Sequence, residues 1–246
     1  MSVRVVVITD RRLYGSEELA AHVARILRAV PRGSVAVQVR EKDLDGGPLA
    51  TLAREVLEVT KPAGAPLWIN DRLDVAYAIG ATGVHLPERG LAIDDALTAC
   101  AAANMSDDSF ADEESVELDV RGALSKREGL AIGCSRHTAE AVCEAAANGA
   151  SLVQLGPIFA TPNKGAPLGA EVLAVRTQLP DHVSLVAVGG IDSADRAREA
   201  AYAGADAVAV IRAAWTADSP HLIAELVDAV EAGIGMRMLS RTITPR

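Results

Sequence analysis

The stretch VRVVVITDRRLYGS, Val3 to Ser16, decides the architecture. Its β-branched, continuously apolar start reads as a strand buried on both faces, as in a parallel sheet covered on its outer side. The residues after this strand matter as much. A doubly wound nucleotide-binding sheet would carry G-x-G-x-x-G there, and the chain has ITDRRLYGS instead.

Seven similar runs come later in the chain: VAVQVR at 35–40, PLWIN at 66–70, GVHL at 83–86, LAIGCS at 130–135, LVQLG at 152–156, SLVAVGG at 184–190 and AVAVI at 207–211. Between them lie Ala-rich stretches with apolar residues three and four apart, such as SEELAAHVARILRAV from Ser16. Eight strand–helix units predict an α/β fold, a single (β/α)8 TIM barrel over residues 1–234. An open doubly wound sheet is the alternative.

Composition is consistent with this. A chain of 246 residues that is half apolar suits one α/β barrel. The net charge of -9 argues against nucleic acid as a partner, so any anion site must come from a local group of cations. Cys100, Cys134 and Cys143 have no metal-ligand spacing, and their odd number, without a signal peptide, predicts a cytoplasmic setting. No apolar run approaches the roughly 20 residues needed to cross a bilayer, so no membrane partner is expected.

Two segments break the rhythm. NMSDDSFADEESVELD, Asn104 to Asp119, holds seven acids and no base. It predicts a solvated or disordered insertion, over 104–127, between the fourth helix and the fifth strand. The basic end, 235–246, reads as a loose tail.

In a parallel barrel the chemistry sits at the C-terminal strand ends. Polar residues collect there: Thr9-Asp10, then Gln38, Arg40 and Lys42, then Asn70-Asp71, His85, Ser135 with His137, the loop FATPNKG, Gly189-Gly190 and Arg212. A strand end often carries a polar residue only because it meets water. The second strand is harder to dismiss. A period of two points Gln38, Arg40 and Lys42 to one side, and two cations crowded there call for an anionic ligand. Arg40 offers a planar fork and Lys42 a point charge. Gly189-Gly190 precedes a helix beginning near Asp192 or Ser193, a pattern for backbone N–H groups around a phosphate, with Arg212 close enough in the fold to add charge. Asn70-Asp71 supplies hard oxygens for Mg2+ bridging to substrate phosphates, although Asp71 would also serve as a cap for the next helix. Phe159 to Gly165 reads as a lid carrying Thr161 and Lys164.

Taken in order, QVREK, NDRLDVA, GVHLPE, IGCSRHT, LGPIFATPNKG, VGGI and AGADAVAVI resemble the superfamily of thiamin phosphate synthase and TenI, the latter a thiazole tautomerase. The resemblance runs from about Val5 to Ala229, the acidic insertion excepted. It implies small-molecule substrates, a pyrimidine pyrophosphate and a thiazole phosphate, which the synthase joins into thiamin phosphate with release of pyrophosphate. Gln38, Arg40, Lys42 and Asn70 would then hold the pyrophosphate, Asp71 would bind Mg2+, and Ser135, Thr161 and Lys164 would contact the leaving group or the pyrimidine. The backbone of Gly189-Gly190 would bind the thiazole phosphate, and His137 matches the proton-shuttling His of the tautomerase. A homodimer is a further expectation. Three positions depart from the synthase pattern: Gly90 stands where a second Mg2+ ligand is usual, Asn163 replaces a Thr, and Arg212 replaces a small Ser. The retained Lys42, Asp71, Thr161 and Lys164 favour the synthase. The tautomerase and a non-catalytic binder of a thiamin precursor are the alternatives.

Overall fold

The computed structural model describes residues 2–14, 19–108, 129–162 and 164–243. Eight parallel strands close into one barrel in sequence order. They are β1 (Val5–Ile8), β2 (Val35–Val39), β3 (Leu67–Asn70), β4 (Gly83–Leu86), β5 (Ala131–Arg136), β6 (Leu152–Leu155), β7 (Ser184–Val188) and β8 (Ala207–Val210). The helices around them are α1 (Leu19–Arg28), α2 (Gly46–Thr60), α3 (Leu73–Ile79), α4 (Ile93–Asp108), α5 (Ala139–Ala147), α6 (Ala194–Ala203) and α7 (Ser219–Ile243). A 3-10 segment, Ala170–Gln178, takes the helix position after β6. The expected barrel is therefore present, and each expected strand is found within two residues of its observed ends.

The outer faces of the strands pack on the helices. In α1 the buried residues are Leu19, His22, Val23, Ile26 and Leu27, spaced so that they share one face. Each fully buried aliphatic side chain of this layer, such as Ile26, Leu185 or Leu226, contributes about 1.5–3 kcal/mol. The starting residues expected for α1, Ser16 included, lie outside the described residues. The inner face is smaller: Val6, Ile8, Ala36, Trp68, Leu152, Val186, Ala207 and Ala209 fill the lumen. Trp68 dominates it, and its neighbours make room. A Cβ on Gly83 would stand 2.5 Å from the indole and one on Gly133 3.1 Å. Below this layer, at the N-terminal end, a cavity of about 400 Å³ is lined by Arg4, Thr82, Arg176 and Asp206 among others.

Two expectations are corrected. The segment from 104 is not loop from its start, because α4 continues to Asp108. The alanines at 101–103 favour helix. The rest of the expected insertion lies outside the described residues. The expected loose tail is helical over residues 235–243, since α7 runs through Ile243, and residues 244–246 lie outside the described residues. Arg237 holds it down, donating to the Ala205 carbonyl at 3.1 Å and to Asp206 at 3.5 Å.

Candidate active site

β2 ends at Val39, but its alternation continues into the loop. Gln38 is buried in the lumen, Arg40 is half-buried at the rim and Lys42 is exposed. Gln38 thus lies a layer deeper than the two cations. Glu41, on the other side, is buried. It accepts a 2.5 Å hydrogen bond from the Thr9 hydroxyl, and its two oxygens accept from the Arg11 N–H at 3.2 and 3.1 Å. Burial pushes its carboxyl up, while these bonds pull it back. The Thr9 hydroxyl in turn accepts from the Arg40 N–H at 2.9 Å. The backbone carrying Arg40 is therefore fixed from behind. Asp10 is occupied by Arg12, whose Nε donates at 3.0 Å and holds the carboxyl below the usual range.

The rim is electrostatically tense. Arg40 disfavours the charge on Lys42 more than any other cause, partial burial comes second, Lys164 adds to the effect and Asp71 opposes it. Lys42 thus feels the cations Arg40, Lys164 and Arg12 on one side of the balance and the carboxylate of Asp71 on the other. Asp71 itself is held at φ 67°, a left-handed conformation that Asp tolerates better than most residues. Its N–H donates to the His85 carbonyl at 2.9 Å. The N-cap of α3 is Arg72, so Asp71 does not occupy the expected capping position.

Gly90 faces Asp71: a Cβ built on it would stand 3.1 Å from Asp71 Oδ1. A carboxylate at 90 would share ligands with Asp71, but the same Cβ would press on the Pro87 ring at 2.8 Å. Among the described residues no group of three or more His, Cys, Asp or Glu side chains gathers to hold a metal. The single carboxylate of Asp71 beside cations fits Mg2+ that arrives with a phosphate ligand, since Mg2+ binds through one or two carboxylates plus phosphate oxygens.

Inside the mouth, Asn70 pairs in register with His85, and Ser135 with Gln154. His85 is buried, and its Nε2 meets the Ser135 hydroxyl at 2.8 Å. Burial first, then Arg136 and Arg40, bring its pKa down to about 3, so the ring is neutral. His85 Nδ1 has no hydrogen-bond partner. A bare ring nitrogen is less costly there than a stranded N–H, so the proton sits on Nε2 and is donated to Ser135. The Ser135 proton is then available to a ligand. His137 lies nearer the solvent. Its Nδ1 donates to the Gly156 carbonyl, and its Nε2 stands 3.6 Å from Glu88.

The remaining expected residues fall on two neighbouring loops. Arg212 comes after β8 in a short 3-10 turn, Arg212–Ala214. The turn is pinned by the Trp215 indole, which donates to the Ile8 carbonyl at 2.9 Å. Arg212 donates to the Thr161 hydroxyl at 2.8 Å. Lys164 is exposed. Asn163 lies outside the described residues. Gly189 and Gly190 have φ of 99° and 70°, which a side chain would strain. Their carbonyls are taken by the Phe159 N–H at 3.1 Å and by Arg196 at 2.8 Å. Arg196 also pairs with Asp192 at 3.0 Å and lies 5.5 Å over the Phe159 ring. The glycine turn is thus locked to the loop after β6, and α6 starts behind it with Ser193 as N-cap.

Four contributors escaped the sequence reading: Glu41, Thr9 in its bonding role, Gln154 and Arg196. Only Glu41 carried a usable signal, since a residue out of phase with Arg40 and Lys42 faces the packed side of the strand.

Fold and rim together define a barrel enzyme with a cationic mouth at the C-terminal strand ends. Known proteins agree. The family model described as thiamine monophosphate synthase matches residues 5–106 and 113–214. A putative thiamine-phosphate synthase of Geobacter sulfurreducens is 37% identical over 209 residues, 84% of this chain and 84% of that protein. The thiamine-phosphate synthase of Chloroflexus aurantiacus is 34% identical over 221 residues, 86% of this chain and 88% of its own. The structure of thiamine phosphate pyrophosphorylase from Pyrococcus furiosus matches with a TM-score of 0.74 and 27% identity, covering 95% of this chain and 98% of that one. The chain belongs to the thiamine monophosphate synthase family. No helix among the described residues is long and apolar enough to cross a membrane.

Proposed function

We propose that this protein joins hydroxymethylpyrimidine pyrophosphate to thiazole phosphate, forming thiamin phosphate and releasing pyrophosphate. The relatives' names support the reaction. The observation that carries the site is Lys42 at the rim within electrostatic reach of the cations Arg40 and Lys164 and of the Asp71 carboxylate.

In this reading the bond between the pyrimidine methylene and the pyrophosphate oxygen breaks, and its electron pair leaves with pyrophosphate. The thiazole nitrogen then gives its lone pair to the methylene carbon. Negative charge grows on the departing oxygens, so fixed cations stabilise the transition state more than the ground state. Arg40, Lys42 and Lys164 supply that charge, while Gln38 and Asn70 orient the pyrophosphate. Ser135 and Thr161 offer hydroxyls. The N–H groups of Gly189 and Gly190, with Arg212, hold the thiazole phosphate. Mg2+ held by Asp71 adds positive charge against the leaving group when bound.

Pyrophosphate release is the test, measured with both substrates saturating, with Mg2+ and then with EDTA. Release that depends on both substrates and stops with EDTA is expected. No release under saturating conditions overturns the reading, and ligand binding without turnover would make the protein a carrier of a thiamin precursor.

The pairing of His137 with Glu88 favours one second reading, thiazole phosphate tautomerisation. His137 would move the proton, without metal. That activity survives EDTA and disappears in His137→Asn. A homodimer belongs to the same proposal. The exposed Met236, Met238 and Leu239 offer apolar surface for it, and sedimentation tests the state.

A further inference from the structure

The floor of the mouth is built from three carboxamides in a chain. Gln154 Nε2 donates to Gln38 Oε1 at 2.7 Å, and Gln38 Nε2 donates to Asn70 Oδ1 at 3.3 Å. Gln154 and Gln38 are buried, at 3% and 2% exposure. They stand on β6 and β2, which face each other across an eight-stranded barrel, so the bond between them spans the lumen.

A carboxamide has one donor end and one acceptor end, and burial makes a wrong orientation expensive. The chain therefore has a polarity. Gln154 donates, so Gln38 must present its oxygen inward and its NH2 to Asn70. Asn70 must then turn its oxygen toward Gln38, which leaves its own NH2 for the mouth. Asn70 is half-buried at the rim, next to Asp71, so this last amide is within reach of a ligand. A donor there suits an oxyanion, and an acceptor would repel one.

We infer that Gln154 is a positioning residue that sets the donor polarity of the anion pocket through Gln38 and Asn70. The inference rests on the pyrophosphate reading of the mouth and gives it an origin deeper in the barrel. It also explains why an amide interrupts the otherwise apolar strand LVQL.

Two variants separate polarity from packing. Gln154→Glu keeps the shape but, as a carboxylate, can only accept. Gln38 must then turn over, Asn70 must do the same, and an acceptor faces the mouth. Gln154→Leu keeps the bulk and removes any preference. Binding of inorganic pyrophosphate is measured by calorimetry between pH 5.5 and 8.5, together with thermal unfolding, always relative to the unaltered protein at the same pH. For Gln154→Glu a loss of at least tenfold is expected at pH 8.5. It should shrink as pH falls and the buried carboxyl takes a proton that it can donate to Gln38. Gln154→Leu should lose less and show no such recovery.

Equal losses in both variants without pH dependence, or affinities within twofold of the unaltered protein, would overturn the inference while leaving the pocket intact. If the unaltered protein takes up no pyrophosphate, the reading of the mouth falls instead. The amide polarity is then judged by NMR of the side-chain NH2 groups: Gln38 and Gln154 signals exchanging as fast as exposed amides would overturn it.

Discussion

Arg212 donates from Nη2 to the Thr161 hydroxyl, 2.8 Å away, and so ties the loop after β8 to the loop after β6. Among the described residues no carboxylate pairs with this guanidinium. Its charge is directed at the mouth by a neutral partner, which leaves it able to attract an anion.

Replacing Arg212 with Ser should therefore weaken binding of a thiazole monophosphate. One charged hydrogen bond is worth about 1.5–3 kcal/mol, or about ten- to a hundredfold in affinity. Calorimetry at two salt concentrations checks it, and the variant should also show a shallower salt dependence. Tighter binding would mean that Arg212 obstructs the pocket.

Lys42→Ala should abolish pyrophosphate release while leaving the fold unharmed. Arg40 already disfavours the Lys42 charge, so removing it relieves repulsion in the ligand-free protein. A fall in turnover of at least about a hundredfold, with an unchanged or slightly raised melting temperature, is the expected pair of results. A large drop in melting temperature would assign Lys42 a structural role.

Gly190 is constrained more tightly than a backbone N–H site alone requires. A Cβ there would stand 2.7 Å from both the Phe159 Cβ and the Ala160 oxygen, on a backbone at φ 70°. Gly190→Ala should cost about 1–3 kcal/mol from strain and crowding, and Gly190→Val more. Urea unfolding measures this, and phosphate binding should fall with it as the turn shifts.

His85 makes stability depend on pH. Its pKa is about 3 in the fold against 6.5 for the free side chain. Between those values the unfolded chain binds the extra proton, so stability is full above pH 6.5 and declines as pH falls. The linkage amounts to about 1.4 kcal/mol per pH unit, or about 2 kcal/mol by pH 5. His85→Gln should flatten this acid limb in unfolding experiments at pH 5 and 7, and should also release Ser135.

The eight strands were legible because each is a short β-branched run bounded by turns, and Arg40 and Lys42 because alternation needs only the local chain. Glu41 and Gln154 were not. Glu41 is held by Thr9 and Arg11, some thirty residues earlier, and Gln154 by Gln38 on the opposite strand. Periodicity cannot show a bond whose partner comes from a distant part of the chain. The tail misled for the same reason, since the Ala205 carbonyl that receives Arg237 lies in another loop. Gly190 was legible as a special position, but the neighbours that demand it, Phe159 and Ala160, emerge only once β6 and β7 stand side by side.

The carboxamide bridge from β6 to β2, with Trp68 in register beside Gln38, fills the lumen between the N-terminal cavity and the mouth. If both reactants enter through the mouth at the C-terminal strand ends, the one bound deeper goes in first and comes out last, and product-inhibition kinetics would show that order.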